Sequence, residues 1–460
     1  MSGHLRDLPN MNSLLEHALL SGVGKERVKR AAREVLDELR GGDFPIGREA
    51  LPGLDECAEL VLGRIQRETP GLRGVVNATG VVLHTNLGRA PLGADILAAA
   101  VEACAGYCNL EFDLGTGRRG DRYAHVDKLI CEITGAEAAM VVNNNAAAMT
   151  LILGALAKGK KVAVSRGELV EIGGSFRIPE IIEQSGAELL EVGATNKTRL
   201  ADYIGAVEGM GAEALLKVHT SNYEIVGFAE SVPIAALADY GKAAGLPVIY
   251  DMGSCFLVEP CRFGFPAGET AMGGIASGAD LICFSGDKLM GAAQAGIIAG
   301  CAKYVESLKK HPLARALRPD KLALAVLEAA LRLYRYPDEA AARIPALAML
   351  FADGEHLRLR AEALAERLAE VLEGWDVEVR EAPDETGGGS LPNVALPGWA
   401  VAVRPPSIPV CELESRLRLS GTPVIVRIQD DAALISARTL MPSDEDKIVD
   451  AFLAAGLLLE

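Results

Sequence analysis

The stretch ADLICFSGDKLMGAAQAGIIAG, residues 279–300, contains the pattern that decides the fold. Its apolar run predicts a buried strand at Leu281–Phe284, and three polar residues follow where that strand ends, namely Ser285, Asp287 and Lys288. Open α/β sheets bind their ligands at the carboxyl ends of their strands. The stretch therefore indicates an α/β fold with a ligand site beside Lys288.

Short apolar runs of the same kind recur along the chain and alternate with amphipathic segments. The predicted strands are Ala138–Val142, Lys161–Val164, Glu188–Val192, Ala214–Val218, Pro247–Tyr250, Leu281–Phe284 and Ala295–Ala299. Helical segments such as Ile178–Gln184 and Ile234–Ala244 lie between them. This βαβ rhythm predicts a mostly parallel seven-stranded sheet with helices on both faces.

The length of 460 residues exceeds the usual size of one hydrophobic core, so several domains are expected. Residues 1–70 form the first part, with helices predicted at Met11–His17, Gly24–Leu39 and Leu54–Thr69. Residues 71–336 hold the α/β pattern. Residues 337–460 combine a long helix, Glu355–Glu373, with shorter strands and a last helix. We predict a helical N-terminal domain, a large α/β core domain and a small α+β C-terminal domain.

Composition and charge exclude some classes of function. A net charge of −16 argues against a protein that simply coats nucleic acid. A basic cluster nevertheless lies on the second predicted helix, at Lys25, Arg27, Lys29, Arg30 and Arg33, and a solvated helix face is its simplest interpretation. The first residues lack the apolar run of an export signal, and the nine cysteines lack zinc-ligand spacing. We expect a cytoplasmic protein with no membrane segment and no metal site.

Lys288 is the residue with the most specific chemistry. A surface lysine is the ordinary alternative, but the glycines and alanines after Lys288 leave room for a ligand. In a desolvated site the pKa of a lysine falls, so its free amine can bond to an aldehyde and later abstract a proton. That chemistry is typical of pyridoxal 5'-phosphate (PLP), which Lys288 is predicted to carry. Ser285 is predicted to bind the cofactor phosphate.

Asp251 ends the apolar run of a second informative segment, VIYDMGS, residues 248–254. A carboxylate at this point can pair with the ring nitrogen of PLP and keep it protonated, which draws electrons from the reacting carbon. An N-cap of a following helix is the alternative. The presence of Lys288 favours the cofactor role for Asp251.

Further cofactor contacts are predicted after two other strands. In MVVNNNAAAM, residues 140–149, a helix N-terminus at Asn144, Asn145 and Ala146 is predicted to hold the phosphate, although an ordinary asparagine cap is the alternative. After the strand at 214–218, Asn222 is predicted to bond to the phenolic oxygen of PLP. His219 is assigned to the same site, with a core histidine as the alternative.

Longer stretches carry a resemblance to a known family. They are LRDLPNMNSLL from Leu5, VVNATGVVLHTNLGRAPL from Val75, NLEFDLGTGRRGDRYAHVDKLICEITGAEAAMVVNNNAAA from Asn109, SRGELVEIGGSFRIPEIIEQSGAELLEVGATNKT from Ser165, HTSNYEIVGF from His219, VIYDMGS, FSGDKLMGAAQAGII, HPLARALRPDKL from His311 and GGGSLP from Gly387. Through them the chain resembles bacterial selenocysteine synthase, the L-seryl-tRNA(Sec) selenium transferase family of fold-type-I PLP enzymes.

This resemblance implies a function and a set of partners. It implies that serine on tRNA(Sec) is converted to selenocysteine with selenophosphate, through a PLP-bound aminoacrylyl intermediate. Lys288 would be the PLP lysine, and Arg89, Arg315 and Arg318 would form the anion pocket for selenophosphate. The N-terminal domain would bind tRNA(Sec), with the basic cluster at the phosphate backbone. A homo-oligomer is implied, a decamer built as a pentamer of dimers with active sites at dimer interfaces.

Departures from the family pattern and competing functions remain. Glu224 stands where the family often has a basic residue, the sequence around Arg438 is looser, and the segment DETGGGSLP is shortened. Considered alone, Arg315 and Arg318 are typical of a solvated helix start. A PLP-dependent lyase of the same lineage, acting on an amino-sugar acid phosphate, is the alternative function, and a non-catalytic tRNA-binding or scaffold protein is a third. The N-terminal helices separate the lyase from the transferase, because a small-molecule lyase does not need them.

Overall fold

The computed structural model describes residues 8–15, 17, 25–41, 52–66, 71–172, 176–392 and 394–457. The chain forms two compact units, Met1–Gly74 and Val75–Glu460. The predicted boundary at residue 70 lies outside the described residues, and the predicted boundary at residue 336 stays a prediction. Among the described helices, none has the length and apolar character needed to cross a bilayer.

Three helices form the first unit. They are α1 (Met11–Leu15), α2 (Lys25–Gly41) and α3 (Leu54–Gln66). They pack around one apolar cluster that includes Leu14, Val28, Leu36 and Val61, because α2 places an apolar residue on one face every three or four positions. The three predicted helices are confirmed, although α1 ends at Leu15, before His17. The predicted ends at Gly24 and Thr69 lie outside the described residues.

The second unit begins with short elements that precede its main sheet. They are β1 (Val76–Asn77), α4 (Ala94–Cys104), the hairpin strands β2 (Phe112–Asp113) and β3 (Arg118–Arg119), and α5 (Asp127–Thr134). The strands that follow are β4 (Ala138–Val142), β5 (Lys161–Ser165), β6 (Glu171–Ile172), β7 (Phe176–Arg177), β8 (Glu188–Val192), β9 (Ala212–Val218), β10 (Val248–Gly253), β11 (Leu281–Ser285) and β12 (Gly296–Gly300).

A seven-stranded sheet lies at the centre of this unit. Its order is β4-β12-β11-β10-β9-β5-β8, and β6 and β7 form a separate hairpin. Neighbouring strands are parallel except that β12 runs antiparallel to both β11 and β4. All seven predicted strands and the mostly parallel sheet are therefore confirmed.

Helices cover both faces of the sheet. They are α6 (Asn145–Leu156), α7 (Ile178–Gln184), α8 (Leu200–Met210), α9 (Ile234–Ala244), α10 (Ala271–Ala276), α11 (Ala302–Lys310), α12 (Pro312–Ala316) and α13 (Lys321–Tyr334). In β11, Leu281 and Cys283 join the apolar cluster that contains α6, whereas Phe284 joins the cluster that contains α13. Successive side chains of a strand point to opposite faces, so each face has its own helical cover.

The C-terminal part of the second unit has a sheet of its own. Its elements are α14 (Pro337–Arg343), α15 (Pro345–Leu350), α16 (Gly354–Val371), β13 (Asp376–Glu381), β14 (Asp384–Glu385), β15 (Ala395–Leu396), β16 (Trp399–Arg404), α17 (Val410–Arg418), β17 (Val424–Ile425), β18 (Arg427–Gln429), β19 (Ala432–Ser436) and α18 (Asp444–Leu457). Strands β13, β16, β19 and β18 form an antiparallel sheet, and β1 pairs in parallel with β17. The predicted long helix and late strands are confirmed.

A buried ion pair lies between the C-terminal sheet and the helices before it. Asp384 is 1 % exposed and Arg438 is 4 % exposed. Arg438 Nε donates to Oδ2 of Asp384 at 2.9 Å, Ser436 Oγ donates to Oδ1 at 2.8 Å, and Arg438 Nη1 donates to the carbonyl oxygen of Met349 at 2.6 Å. A Cβ at Gly80, where φ is +81°, would lie 2.1 Å from Asp384 Oδ1, so this close approach requires glycine.

Replacing the buried carboxylate is expected to destabilise the second unit strongly. Asp384→Ala should lower the free energy of unfolding by about 3–5 kcal/mol, because the buried guanidinium loses its counter-charge. Arg404→Ala is the control, since it removes ion pairs to the exposed carboxylates of Asp376 and Glu378 and should have a much smaller effect. Urea unfolding followed by circular dichroism measures both variants, and equal midpoints for the two would contradict this role of Asp384.

Candidate active site

A cavity of about 260 Å³ lies at the carboxyl ends of β9, β10 and β11. It is lined by Arg89, Asn144, Asn145, Ala146, Val218, His219, Asp251, Gly253, Ser285, Lys288 and Gln294. Parallel strands end at the same edge of a sheet, which is why residues from distant segments meet here. Every residue predicted for the site lines this cavity except Asn222, Arg315 and Arg318.

Lys288 lies in the tight turn that follows β11. The turn is closed by backbone bonds from Gly286 N to Ala295 O at 2.9 Å and from Ala292 N to Gly286 O at 2.8 Å. Lys288 is only 5 % exposed. Burial lowers the pKa of Lys288, the nearby guanidinium of Arg89 lowers it further, and two carboxylates oppose the shift. The amine is therefore more often uncharged than an ordinary lysine at neutral pH.

Arg89 and Asp287 form an ion pair beside Lys288. Arg89 Nη1 donates to Asp287 Oδ2 at 2.6 Å, and Ala90 N donates to the carbonyl oxygen of Asp287 at 3.3 Å. Arg89 has a φ of +63°, an uncommon conformation for a residue with a side chain and one that is enriched at functional sites. Sequence reasoning gave Asp287 no role, although its place next to Lys288 was a signal for one.

Asp251 is the buried carboxylate of the site. Its Oδ1 accepts bonds from Asn145 Nδ2 at 2.8 Å, from Gly253 N at 3.0 Å and from Cys283 Sγ at 3.7 Å. Burial raises the pKa of Asp251, and the three donors and Lys288 partly offset that rise. Asp251 does not cap a helix, because β10 continues to Gly253. The N-cap alternative is therefore wrong.

The asparagine run at the start of α6 serves two different purposes. Asn144 is the N-cap of α6, since its Oδ1 accepts a bond from Ala147 N at 2.9 Å. Asn145 instead directs its amide nitrogen at Asp251, and its Oδ1 is buried without a partner among the described residues. Ala146 is the second residue of α6 and lines the cavity with a small side chain. Binding of the cofactor phosphate at this N-terminus stays a prediction.

The remaining predicted cofactor contacts differ in position. His219 lines the cavity, its backbone N donates to the carbonyl oxygen of Asp251 at 2.8 Å, and burial lowers the pKa of its imidazole. Ser285 is buried at the end of β11 and also lines the cavity. Asn222 does not line it, and its Nδ2 donates to the carbonyl oxygen of Glu171 at 2.9 Å. Contact between Asn222 and the cofactor stays a prediction.

Arg315 and Arg318 lie outside the cavity. Arg315 is exposed on α12, and Arg318 Nη1 lies 3.6 Å from Glu111 Oε1. The segment is nevertheless tied to the asparagine run, because Asn143 N donates to the carbonyl oxygen of Leu317 at 2.9 Å. A role of these two arginines in anion binding stays a prediction.

The residues of the cavity fit PLP. Lys288 supplies a buried amine of lowered pKa, and among the described residues no hydrogen-bond donor reaches Oδ2 of Asp251. A buried carboxylate requires a cationic or donating partner, and the protonated ring nitrogen of PLP is one. The fold and the site thus define a PLP-dependent enzyme of fold type I.

Comparison with known proteins identifies the family. The model of the family described as "SelA: L-seryl-tRNA selenium transferase" matches residues 75–441. The chain is 47% identical over 457 residues to the L-seryl-tRNA(Sec) selenium transferase of Moorella thermoacetica, which covers 98% of this chain and 97% of that one. It is 48% identical over 470 residues to the enzyme of the same name from Solidesulfovibrio magneticus, with 99% and 98% covered. The chain belongs to the L-seryl-tRNA selenium transferase family.

One solved structure with a similar fold is named for a different activity. The structure of D-glucosaminate-6-phosphate ammonia-lyase superimposes on this chain with a TM-score of 0.57 at 20% sequence identity. The superposition covers 85% of this chain and 99% of the lyase chain. At this level of identity the likeness concerns the fold alone.

Arg89 is expected to control the titration of Lys288. Arg89→Ala should raise the pKa of Lys288, because a nearby positive charge is removed and Asp287 is left without its partner. The rate at which the apoprotein binds PLP covalently should then rise at a higher pH than in the parent protein. Visible absorbance followed across pH measures this shift. Arg335→Ala, which removes an exposed pair with Glu132, is the control, and a profile of Arg89→Ala equal to that control would exclude the effect.

Proposed function

We propose that this protein transfers selenium from selenophosphate to serine esterified to tRNA(Sec) and so produces selenocysteinyl-tRNA(Sec). The similarity to selenium transferases over almost the whole chain carries this proposal. The buried pair of Lys288 and Asp251 supports it, because the reaction needs a proton removed from an unactivated carbon. The proposed place of action is the cytoplasm.

The chain supplies the proton transfers of this reaction. PLP, when bound, delocalises the electron pair that remains on Cα after its proton is removed. Lys288 holds the cofactor and then, as a free amine, takes the proton from Cα of serine, a role that its lowered pKa supports. Asp251 would pair with the ring nitrogen of the bound cofactor. Ser285 and the N-terminus of α6 would hold the phosphate group of the cofactor.

The arginines position the selenium donor in this proposal. Serine loses its β-hydroxyl as the Cβ–O bond breaks, and selenium of selenophosphate forms the new bond to Cβ. Water then cleaves the P–Se bond and phosphate leaves, so that the overall exchange is oxygen for selenium. Arg89 lines the cavity and suits an anion of this shape, and Arg315 and Arg318 are the further candidates.

Removing a guanidinium is expected to impair selenium transfer while PLP remains bound. Arg89→Ala, Arg315→Ala and Arg318→Ala should each lower transfer about tenfold or more, because a charge-assisted hydrogen bond contributes about 1.5–3 kcal/mol. Transfer is measured with radiolabelled selenophosphate and seryl-tRNA(Sec), and PLP loading by absorbance. Arg332→Ala, on the exposed face of α13 next to Glu328, is the control. If all three variants transferred selenium as fast as the parent protein, the proposed role of these arginines in binding selenophosphate would be excluded.

The proposed tRNA-binding domain is residues 1–70, which make up most of the helical first unit. The side chains of Lys25, Arg27, Arg30 and Arg33 are exposed on α2. The chain as a whole is acidic, so this cluster is a local exception that suits a phosphate backbone. The domain boundary near residue 336 belongs to the same proposal.

Charge reversal on α2 is expected to weaken tRNA binding. Lys25→Glu with Arg33→Glu should lower the affinity for tRNA(Sec), and the slope of log affinity against log salt should fall by about 1 for each phosphate that the variant no longer binds. Fluorescence anisotropy with labelled tRNA at several salt concentrations measures both quantities. Lys160→Glu, an exposed lysine of the second unit, is the control. Equal binding of tRNA(Sec) and tRNA(Ser) by the parent protein would instead favour the lyase alternative.

A homo-oligomer, a decamer built as a pentamer of dimers, completes the proposal. Large apolar side chains on the second unit support contact with another copy, since Val101, Tyr107 and Leu114 are exposed near α4 and β2.

A further inference from the structure

The register of the central sheet brings a cysteine to the catalytic carboxylate. Asp251 of β10 pairs with Cys283 of β11 in a parallel ladder, so both side chains leave the same face of the sheet side by side. Cys283 Sγ lies 3.7 Å from Asp251 Oδ1. Asn145, at the start of α6, donates its amide N–H to the same oxygen at 2.8 Å.

The donors that Asp251 has among the described residues all converge on one of its two oxygens. Oδ1 accepts from Asn145 Nδ2, from Gly253 N and from Cys283 Sγ. Among the residues that the structure describes, no donor bonds to Oδ2. A carboxylate oxygen has about two lone-pair directions, so three donors leave no room on Oδ1 for a further partner. The orientation of the carboxylate is therefore set, and Oδ2 is the oxygen that remains available to a further partner.

The thiol of Cys283 is suited to act as a donor here. Its Sγ has two acceptors within reach, Asp251 Oδ1 and the Sδ of Met149 at 3.4 Å. A carboxylate is the stronger acceptor of the two, because it carries a charge and a thioether does not. Burial and the neighbouring carboxylate of Asp251 raise the pKa of the Cys283 thiol well above its ordinary value, so the thiol keeps its proton.

We propose that Asn145 and Cys283 are positioning residues that act through Asp251: with the amide of Gly253 they occupy Oδ1 and reserve Oδ2 for the protonated ring nitrogen of PLP. This inference rests on the proposed cofactor. It gives Asn145 a different task from phosphate binding, and it gives a task to Cys283, which does not line the cavity.

The donors to Asp251 also determine whether the proton shared with the ring nitrogen of PLP resides on the carboxyl group or on the ring. Without them, a carboxyl group that is almost fully buried is more stable in its neutral form. The proton between Asp251 and the ring nitrogen would then move to the carboxyl, and the ring would lose the positive charge that draws electrons from Cα. Asn145 and Cys283 therefore maintain the ring nitrogen in its protonated form.

The protonation state of the ring nitrogen tests this directly. The holoenzyme is prepared with PLP labelled with nitrogen-15 in the ring, sedimented, and studied by solid-state NMR, in which protonated and unprotonated ring nitrogens resonate at different shifts. The parent protein should show the protonated signal at neutral pH. Asn145→Leu, which has a similar shape but no donor, should move more than half of the intensity to the unprotonated signal. Cys283→Ala should move a smaller share, and Cys283→Ser, which restores a donor, should return the parent spectrum.

The same NMR measurement supplies the control variant and the results that would contradict the inference. Cys261→Ala, an exposed cysteine, should match the parent protein. An unprotonated ring nitrogen in the parent protein would overturn the inference without any variant, even if Asn145→Leu failed to fold. Parent-like spectra for both Asn145→Leu and Cys283→Ala would overturn it as well. The measurement needs neither tRNA nor a selenium donor, so the expected spectra with no selenium transfer would refute the proposed function and leave this inference standing.

Discussion

Burial of two opposite charges in one small cavity is the constraint on which this site depends. Asp251 and Lys288 are both removed from water at the ends of neighbouring strands. Desolvation raises the pKa of the carboxyl and lowers the pKa of the amine, so each is driven toward its neutral form. The amine is useful in that form, whereas the carboxylate is useful only when ionised. The polar neighbours of Asp251 offset its desolvation, and Lys288 has no comparable set of acceptors among the described residues.

The sheet explains how such a cavity is built from distant segments. Strands β9, β10 and β11 run parallel and end at one edge, which places His219, Asp251 and Lys288 together. Strand β12 then returns antiparallel between β11 and β4, and this brings the asparagine run beside the lysine turn. Gly296 permits the return, because a Cβ there would lie 2.2 Å from the carbonyl oxygen of Asn144.

The same fold serves other reactions, so the fold does not select the substrate. The ammonia-lyase structure shares it at low sequence identity. Selectivity must then reside in features outside the cofactor cradle. In the proposed function those features are Arg89, the segment of Arg315 and Arg318 that bonds to Asn143, and the basic cluster of α2. Each contains arginine or lysine, the residue types that bind phosphate and similar anions.

The sequence alone was sufficient for the strands, the helices and the candidate lysine. Apolar periodicity and turn residues are local properties, so the seven strands of the sheet were predicted to within a few residues. The pattern of an apolar strand followed by Lys288 is local as well.

Only the tertiary structure decided which side chains meet. Asn145 and Asp251 are 106 residues apart, and Arg89 and Asp287 are 198 residues apart. Their contacts depend on strand order and register, which no local pattern specifies. For the same reason the sequence did not predict the contact between Asn145 and Asp251, and it assigned no role to Cys283 and Asp287. The resemblance placed Arg315 and Arg318 in an anion pocket, whereas both lie outside the cavity. A short segment is sufficient to predict a strand and the polar residues that follow it, whereas the contacts between distant segments depend on how the whole sheet packs.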